Sequence, residues 1–114
     1  MLMHSSYGAY SQWKSWSYDQ FGLFGNDDAV YFKRELEHAG VYKVQGLRIL
    51  EIGFGNGQFA SWAHENGAHW TGTEAQSLQV EAARARGWSA FSADADLAQL
   101  AERRAFDLVV AFDQ

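Results

Sequence analysis

The feature that most constrains the fold is the alternation, from Leu47 onward, of short apolar runs with segments of helical pattern. Short buried strands separated by helices are typical of βαβ units and of a parallel sheet. We therefore predict an α/β fold. The four predicted strands are LRILEIG (47–53), HWTGTE (69–74), WSAFS (88–92) and FDLVVAF (106–112).

Capping residues and glycines indicate where the intervening helices begin and end. The first helix starts near Gln58 and ends at the Asn66-Gly67 pair. Ser77 can cap a second helix that runs through Ala85, and a short third helix covers about residues 96–104. Each helix thus connects one predicted strand to the next.

The first 46 residues differ in character from residues 47–114, and we treat the two as separate units. Residues 7–24 are dense in aromatic side chains without a clear period. They form either an irregular arm packed on the core or a flap over a ligand. The following segment, NDDAVYFKRELEHAG (26–40), predicts a helix capped by Asn26 or Asp27, with a buried stripe. The stripe comprises Ala29, Phe32, Leu36 and Ala39.

Composition excludes several classes of protein. The net charge is −5, which disfavours a nucleic-acid surface because phosphate binding needs a basic patch. No apolar stretch approaches the roughly 20 residues that a membrane span requires. The chain has no cysteine, no secretory signal and no histidine pattern typical of a metal site, so we expect a cytoplasmic protein without a bound metal.

Each predicted strand delivers a carboxylate to the same edge of the sheet. The carboxyl ends of parallel strands meet at one edge, where ligands bind in folds of this type. Carboxylates accept hydrogen bonds, so this edge suits a ligand with an ammonium group, hydroxyls or an exocyclic amine. The acids concerned are Glu51, Glu74, Asp94 and Asp113.

The glycine-rich run ILEIGFGNGQFA (49–60) joins the first predicted strand to its helix. No lysine or arginine occurs between Ile49 and Ala83. A P-loop needs a lysine beside its glycines, so a site for a nucleoside triphosphate is disfavoured. Gln58 stands where a dinucleotide fingerprint requires a third small residue, which weakens the case for NAD. The glycines alone therefore leave more than one ligand open.

Four segments, taken together, resemble the first four motifs of class I S-adenosylmethionine-dependent methyltransferases. The resemblance implies a Rossmann-like three-layer sandwich with helices on both faces and about four parallel strands in the order 3-2-1-4. It also implies S-adenosylmethionine as cofactor and in-line methyl transfer. The segments are LEIGFGNGQF, GTEAQ, ADADL and FDLVVAFDQ.

The resemblance also implies a role for each matching residue. The three glycines of the loop surround the methionine moiety, with Glu51 beneath them, and Glu74 binds the ribose hydroxyls. Asp94 accepts a hydrogen bond from the adenine amine, and Asp113 with Gln114 approaches the acceptor. No catalytic base is assigned. The residues expected at the cofactor are Glu51, Gly53, Gly55, Gly57, Glu74, Ala75, Asp94, Ala95, Asp113, Tyr10 and Trp13.

A structural alternative exists for Glu51, which could instead accept hydrogen bonds from backbone amides of the glycine loop. Two alternatives also exist for the chain as a whole. It could be an NAD-binding oxidoreductase domain, or a degenerate domain that only mediates assembly. The acceptor is expected to be a small molecule, since the acidic charge disfavours nucleic acid.

The chain departs from the family after the fourth predicted strand, where family members continue with further strands. We therefore expect a fragment that holds the cofactor-binding half and shows little turnover. The fourth strand, LVVAF (108–112), should then be an apolar edge with unpaired backbone groups. Such an edge predicts a homodimer, formed through this strand or by covering the exposed flank.

Overall fold

The computed structural model describes residues 2–5, 18–94, 100 and 105–112. Within these residues the elements follow the predicted alternation of strands and helices from Arg48 onward. In chain order they are β1 (Leu2–Ser5), a short 3-10 helix (Tyr18–Gln20), α1 (Asn26–His38), β2 (Arg48–Ile52), α2 (Gln58–Glu65), β3 (His69–Glu74), α3 (Ser77–Ala85), β4 (Ser89–Ser92) and β5 (Leu108–Phe112).

The described strands form one parallel sheet in the order β1-β5-β2-β3-β4. The four predicted strands are β2, β3, β4 and β5, so the predicted order 3-2-1-4 is confirmed together with the Rossmann-like fold class. In this register Glu51 of β2 lies between Gly72 of β3 and Val110 of β5. Right-handed crossovers then place α2 and α3 on the same face of the sheet.

The prediction that the fourth strand forms a bare edge is wrong. β1 pairs with β5 in parallel, from Leu2 opposite Val109 to Ser5 opposite Phe112. The backbone groups of an apolar edge strand are costly to leave unpaired, and here a segment of the same chain satisfies them. The sequence MLMHS has no alternating pattern that would mark it as a strand. A homodimer stays a prediction, but it can no longer rest on a bare β5.

The core cluster joins residues of the sheet to residues of α1, α2 and α3. Ile49, Leu108 and Val110 supply the strand side, and all three are fully or almost fully buried. Phe32 of α1 meets Phe59 of α2 edge to face, with 5.3 Å between ring centroids. Of the stripe predicted on α1, Phe32 and Leu36 are buried, whereas Ala29 and Ala39 are half-buried.

Two helices are capped earlier in the sequence than predicted. Gly25 rather than Asn26 or Asp27 is the N-cap of α1, and the Asp28 carboxylate accepts a hydrogen bond from its N–H at 2.8 Å. Gln76 precedes α3, so Ser77 is its first residue instead of its cap. The predicted helix at 96–104 lies outside the described residues except for Leu100, which is helical and buried.

An exposed ion pair joins the starts of β2 and β5. The Arg48 guanidinium contacts both oxygens of Asp107, at 3.2 Å from Nε and 3.0 Å from Nη2. The two backbones also bond here, since the Asp107 N–H donates to the Arg48 carbonyl at 2.7 Å. None of the helices in the described ranges is long and apolar enough to span a membrane.

Candidate functional site

The glycine loop connects β2 to α2 at the carboxyl edge of the sheet. Gly53, Gly55 and Gly57 adopt φ values of 71°, 56° and 77°, in the left-handed region that side chains disfavour. The N–H groups of Gly53 and Phe54 both donate to the carbonyl of Thr73, at 2.8 and 3.2 Å. The loop is therefore attached directly to the end of β3.

Glu74, the last residue of β3, links the glycine loop to the start of α3. Its side chain is only 4% exposed. One carboxylate oxygen accepts the Gly55 N–H at 2.8 Å, and the other accepts the Gln76 N–H at 3.0 Å. A carboxylate has about four acceptor sites, so each oxygen retains the capacity for a further donor such as a hydroxyl.

Glu51 lies on the neighbouring strand and is buried in a different manner. Its carboxyl is 2% exposed and accepts a hydrogen bond from the indole N–H of Trp70 at 3.0 Å. Burial raises the pKa of Glu51 well above its ordinary value; the Trp70 bond opposes this rise and the charge of Glu74 adds to it. Among the described residues, no backbone N–H of the glycine loop donates a hydrogen bond to Glu51. The structural alternative, in which Glu51 accepts hydrogen bonds from these amides, is therefore wrong.

Trp70 can reach Glu51 only because residue 72 is a glycine. The two residues stand on the same face of β3, and a Cβ at Gly72 would lie 2.3 Å from the Trp70 ring and 2.8 Å from Phe54. The indole therefore lies across the strand, with Phe54 packed edge to face at 5.2 Å. Our sequence reasoning missed this contact, although the Trp-x-Gly spacing on a predicted strand was a signal for it.

The segment before α1 packs against the glycine loop. Phe21 is fully buried, and a Cβ at Gly57 would lie 2.7 Å from its ring. The Gly22 N–H donates to the Asn56 carbonyl at 2.7 Å, and Arg86 donates to the Phe21 carbonyl at 2.6 Å. Of the two interpretations of the aromatic arm, packing on the core is therefore correct for Phe21.

The remaining predicted residues are placed less completely. Ala75 is exposed directly after β3. Asp94 is exposed two residues after β4, with its N–H donating to the Ser92 hydroxyl at 3.3 Å. β4 pairs with β3, so Asp94 lies at the same edge of the sheet as Glu74. Residues outside the described ranges are Tyr10, Trp13, Ala95, Asp113 and Gln114.

The assembled edge consists of backbone groups and acceptors. Glu51, Glu74 and Asp94 lie at or near the carboxyl ends of neighbouring strands, and the loop beside them contains no lysine or arginine. Within the described ranges, no three histidine or acidic side chains are grouped as a metal site would require. This arrangement suits a ligand that presents cationic or hydroxyl donors. The glycines, which have no side chains, allow such a ligand to approach the backbone closely.

Comparison with known proteins adds the family. A family model described as a methyltransferase domain matches residues 49–114. Among solved structures, the chain is similar to an S-adenosylmethionine dependent methyltransferase from Mesorhizobium loti, with 31% sequence identity and a TM-score of 0.48. That match covers 69% of this chain and 38% of the other, so the chain spans well under half of that protein's length. None of the curated proteins matches the chain. Because the family model covers more than half of the chain, including the glycine loop, Glu51 and Glu74, the chain belongs to the methyltransferase domain family.

Proposed function

We propose that this chain binds S-adenosylmethionine at the carboxyl edge of β2, β3 and β4, and that it serves methyl transfer to a small-molecule acceptor. The observation that carries the proposal is the attachment of the buried Glu74 carboxylate to the Gly55 N–H at 2.8 Å. This bond holds the Glu74 carboxylate, which can accept hydrogen bonds from hydroxyl groups, beside a glycine loop that a ligand can approach closely.

The residues present fit this cofactor in charge and in donor chemistry. S-adenosylmethionine offers an ammonium group, two ribose hydroxyls and an adenine amine, which are all donors. Glu51, Glu74 and Asp94 are acceptors on adjacent strand ends. No lysine or arginine lies between residues 49 and 83 to attract a phosphate, which is consistent with a cofactor that carries none.

The chain's own groups would bind and orient the cofactor. Gly55 is fixed by Glu74, and Gly53 is fixed by Thr73, so the loop is held in place before a ligand arrives. When bound, the cofactor supplies a methyl group activated on a sulfonium. Holding that group in line with the acceptor's nucleophile accounts for most of the acceleration expected of such a site.

Calorimetric titration with S-adenosylhomocysteine tests the binding proposal. We expect saturable binding, and we expect Glu74→Gln to weaken it about tenfold, since an amide leaves one of the two backbone N–H groups without an acceptor. Glu81→Gln is the matched control, because Glu81 is exposed on α3 and touches neither the loop nor β3's end. Equal affinity of the two variants would contradict the proposed role of Glu74.

The same titration separates the rival functions. An NAD-binding oxidoreductase domain would bind NAD more tightly than S-adenosylhomocysteine. A degenerate assembly domain would bind neither, and its state of association would not respond to Glu74→Gln. Gln58, which begins α2 where the dinucleotide fingerprint needs a small residue, favours the methyltransferase over the NAD enzyme.

Three further expectations belong to the same proposal. The acidic net charge of −5 supports a small acceptor rather than nucleic acid. A homodimer would form by covering the flank of the sheet, and sedimentation at increasing concentration would reveal it. A cytoplasmic location completes the proposal, and cell fractionation with the full protein tests it.

A further inference from the structure

A cavity of about 430 Å³ lies between α1, the segment that follows it, and α2, and none of its lining comes from the glycine loop. Its walls come from α1, from the connection between α1 and β2, and from the second half of α2. None of the lining residues belongs to the glycine loop or to the strand ends of the candidate cofactor site. The cavity is therefore separate from that site.

The interior of the cavity is largely apolar. Val30 and Tyr42 contribute to it and remain 46% and 75% exposed. Val41 and the Trp62 indole form part of the wall, and Trp62 also packs on Phe32 with 5.9 Å between ring centroids. Binding an apolar group here would remove this exposed surface from water.

The charge of the lining is opposite to that of the chain. Lys33 and Lys43 line the cavity, and no aspartate or glutamate does. They are two of three lysines in a chain with net charge −5. Within the described residues neither ammonium forms an ion pair. Two cations in the lining of a cavity that also has apolar walls complement an anion that carries an apolar body.

We propose that this cavity binds a small amphipathic anion, such as an aromatic or short acyl carboxylate or sulfonate. The apolar body lies against Val30, Tyr42 and Trp62, and the anionic group lies between Lys33 and Lys43. The volume is within the range of about 300–1,000 Å³ that is typical of small-molecule sites. The site stands apart from the cofactor edge and does not depend on methyl transfer.

The test uses two fluorescent probes that share an apolar body but differ in charge. These are 8-anilinonaphthalene-1-sulfonate and the uncharged N-phenyl-1-naphthylamine. We expect saturable one-to-one binding of the sulfonate, and a loss of about tenfold in affinity in Lys33→Glu. The uncharged probe should bind more weakly and should not respond to this change.

Arg34→Glu is the matched control, since it reverses the same charge one residue further along α1 on a side chain that does not line the cavity. It should leave sulfonate affinity within about twofold. Thermal melts verify that both variants are folded. Amide NMR shifts should move at residues 29–45 and stay unchanged in the glycine loop. Equal loss in the two variants, no saturable binding, or displacement by S-adenosylhomocysteine would overturn the proposal.

Discussion

The ends of β2 and β3 each bury a glutamate, but the two carboxyl groups have different partners. Glu74 accepts two backbone N–H groups and joins two loops. Glu51 has one neutral side-chain donor, the Trp70 indole, and burial raises its pKa well above the ordinary value. Backbone dipoles stabilise a carboxylate without a counter-charge, whereas an apolar surrounding favours the protonated form. Glu74 thus connects two backbone segments, whereas Glu51 has a single described hydrogen-bond donor.

Gly72→Ala should have the largest effect on stability. It disturbs the surroundings of Glu51 and leaves the contacts of Glu74 in place. The new Cβ would overlap the Trp70 ring at 2.3 Å, so the indole must leave its position under Glu51. We expect a loss of about 3 kcal/mol in the free energy of unfolding, measured by urea denaturation. Gly25→Ala is the control, since its nearest neighbour is 3.9 Å away, and it should cost at most about 1 kcal/mol.

Glu74→Ala tests the other side. It leaves the N–H groups of Gly55 and Gln76 without their acceptor in a buried setting. We expect a loss of about 2 kcal/mol in urea denaturation, together with faster hydrogen exchange at Gly55. A variant as stable as the parent would mean that Glu74 does not hold the loop.

Trp70→Phe removes the only described donor to Glu51 and keeps most of the aromatic packing. We expect a loss of about 1 kcal/mol in the free energy of unfolding from the broken bond. The pKa of Glu51 should rise further, since the Trp70 bond lowers it in the parent. Carboxyl NMR shifts recorded against pH would measure this, and an unchanged titration would refute the assigned role of Trp70.

Glu51→Gln tests the sign of the pH dependence. The folded-state pKa lies above the ordinary value of 4.5, so the folded chain retains a proton that the unfolded chain releases. The stability from this proton is fully present below pH 4.5 and is lost as the pH rises through the folded pKa. We expect Glu51→Gln to melt about 3 °C higher than the parent at pH 7 and equally at pH 4. A parent that gains stability over this interval relative to the variant would contradict the burial argument.

Asp107→Asn should show the smallest effect and the opposite sign. The Arg48 guanidinium holds the pKa of Asp107 below its ordinary value, so this carboxylate stabilises the fold above the unfolded-state pKa and stops doing so as the pH falls. The pair is exposed and screened by solvent. We expect a decrease of about 1 °C in Tm at pH 7, which disappears in acid. If Asp107→Asn lowered the Tm as much as Trp70→Phe does, solvent exposure would not weaken this ion pair.

The sequence predicted the elements with local signals. Short apolar runs located β2, β3 and β5, and the strand order followed from the family resemblance. The positions of Glu74 and of the glycine loop at the carboxyl edge of the sheet were also predicted, because each depends on the residues of a single strand-to-helix connection. Their role at a cofactor stays a prediction. Such local patterns need no information about distant parts of the chain.

The misses involve contacts between distant segments. β1 pairs with β5 across nearly the whole chain, and four residues give no period by which to find it. Phe21 packs on Gly57, and Arg86 then binds the Phe21 carbonyl, so three separate segments meet beside the loop. The contact between Glu51 and Trp70 depends on the register between β2 and β3. Register and packing of this kind arise only when the sheet has assembled.

The position of β1 has a consequence for how the chain is made. Among the described strands, the ribosome releases β1 first, whereas its partner β5 is the last to emerge. β2, β3 and β4 can associate during synthesis through short connections, which close quickly. β1 cannot take its place in the sheet until β5 has been synthesised, so the earliest of the described strands depends on the latest one.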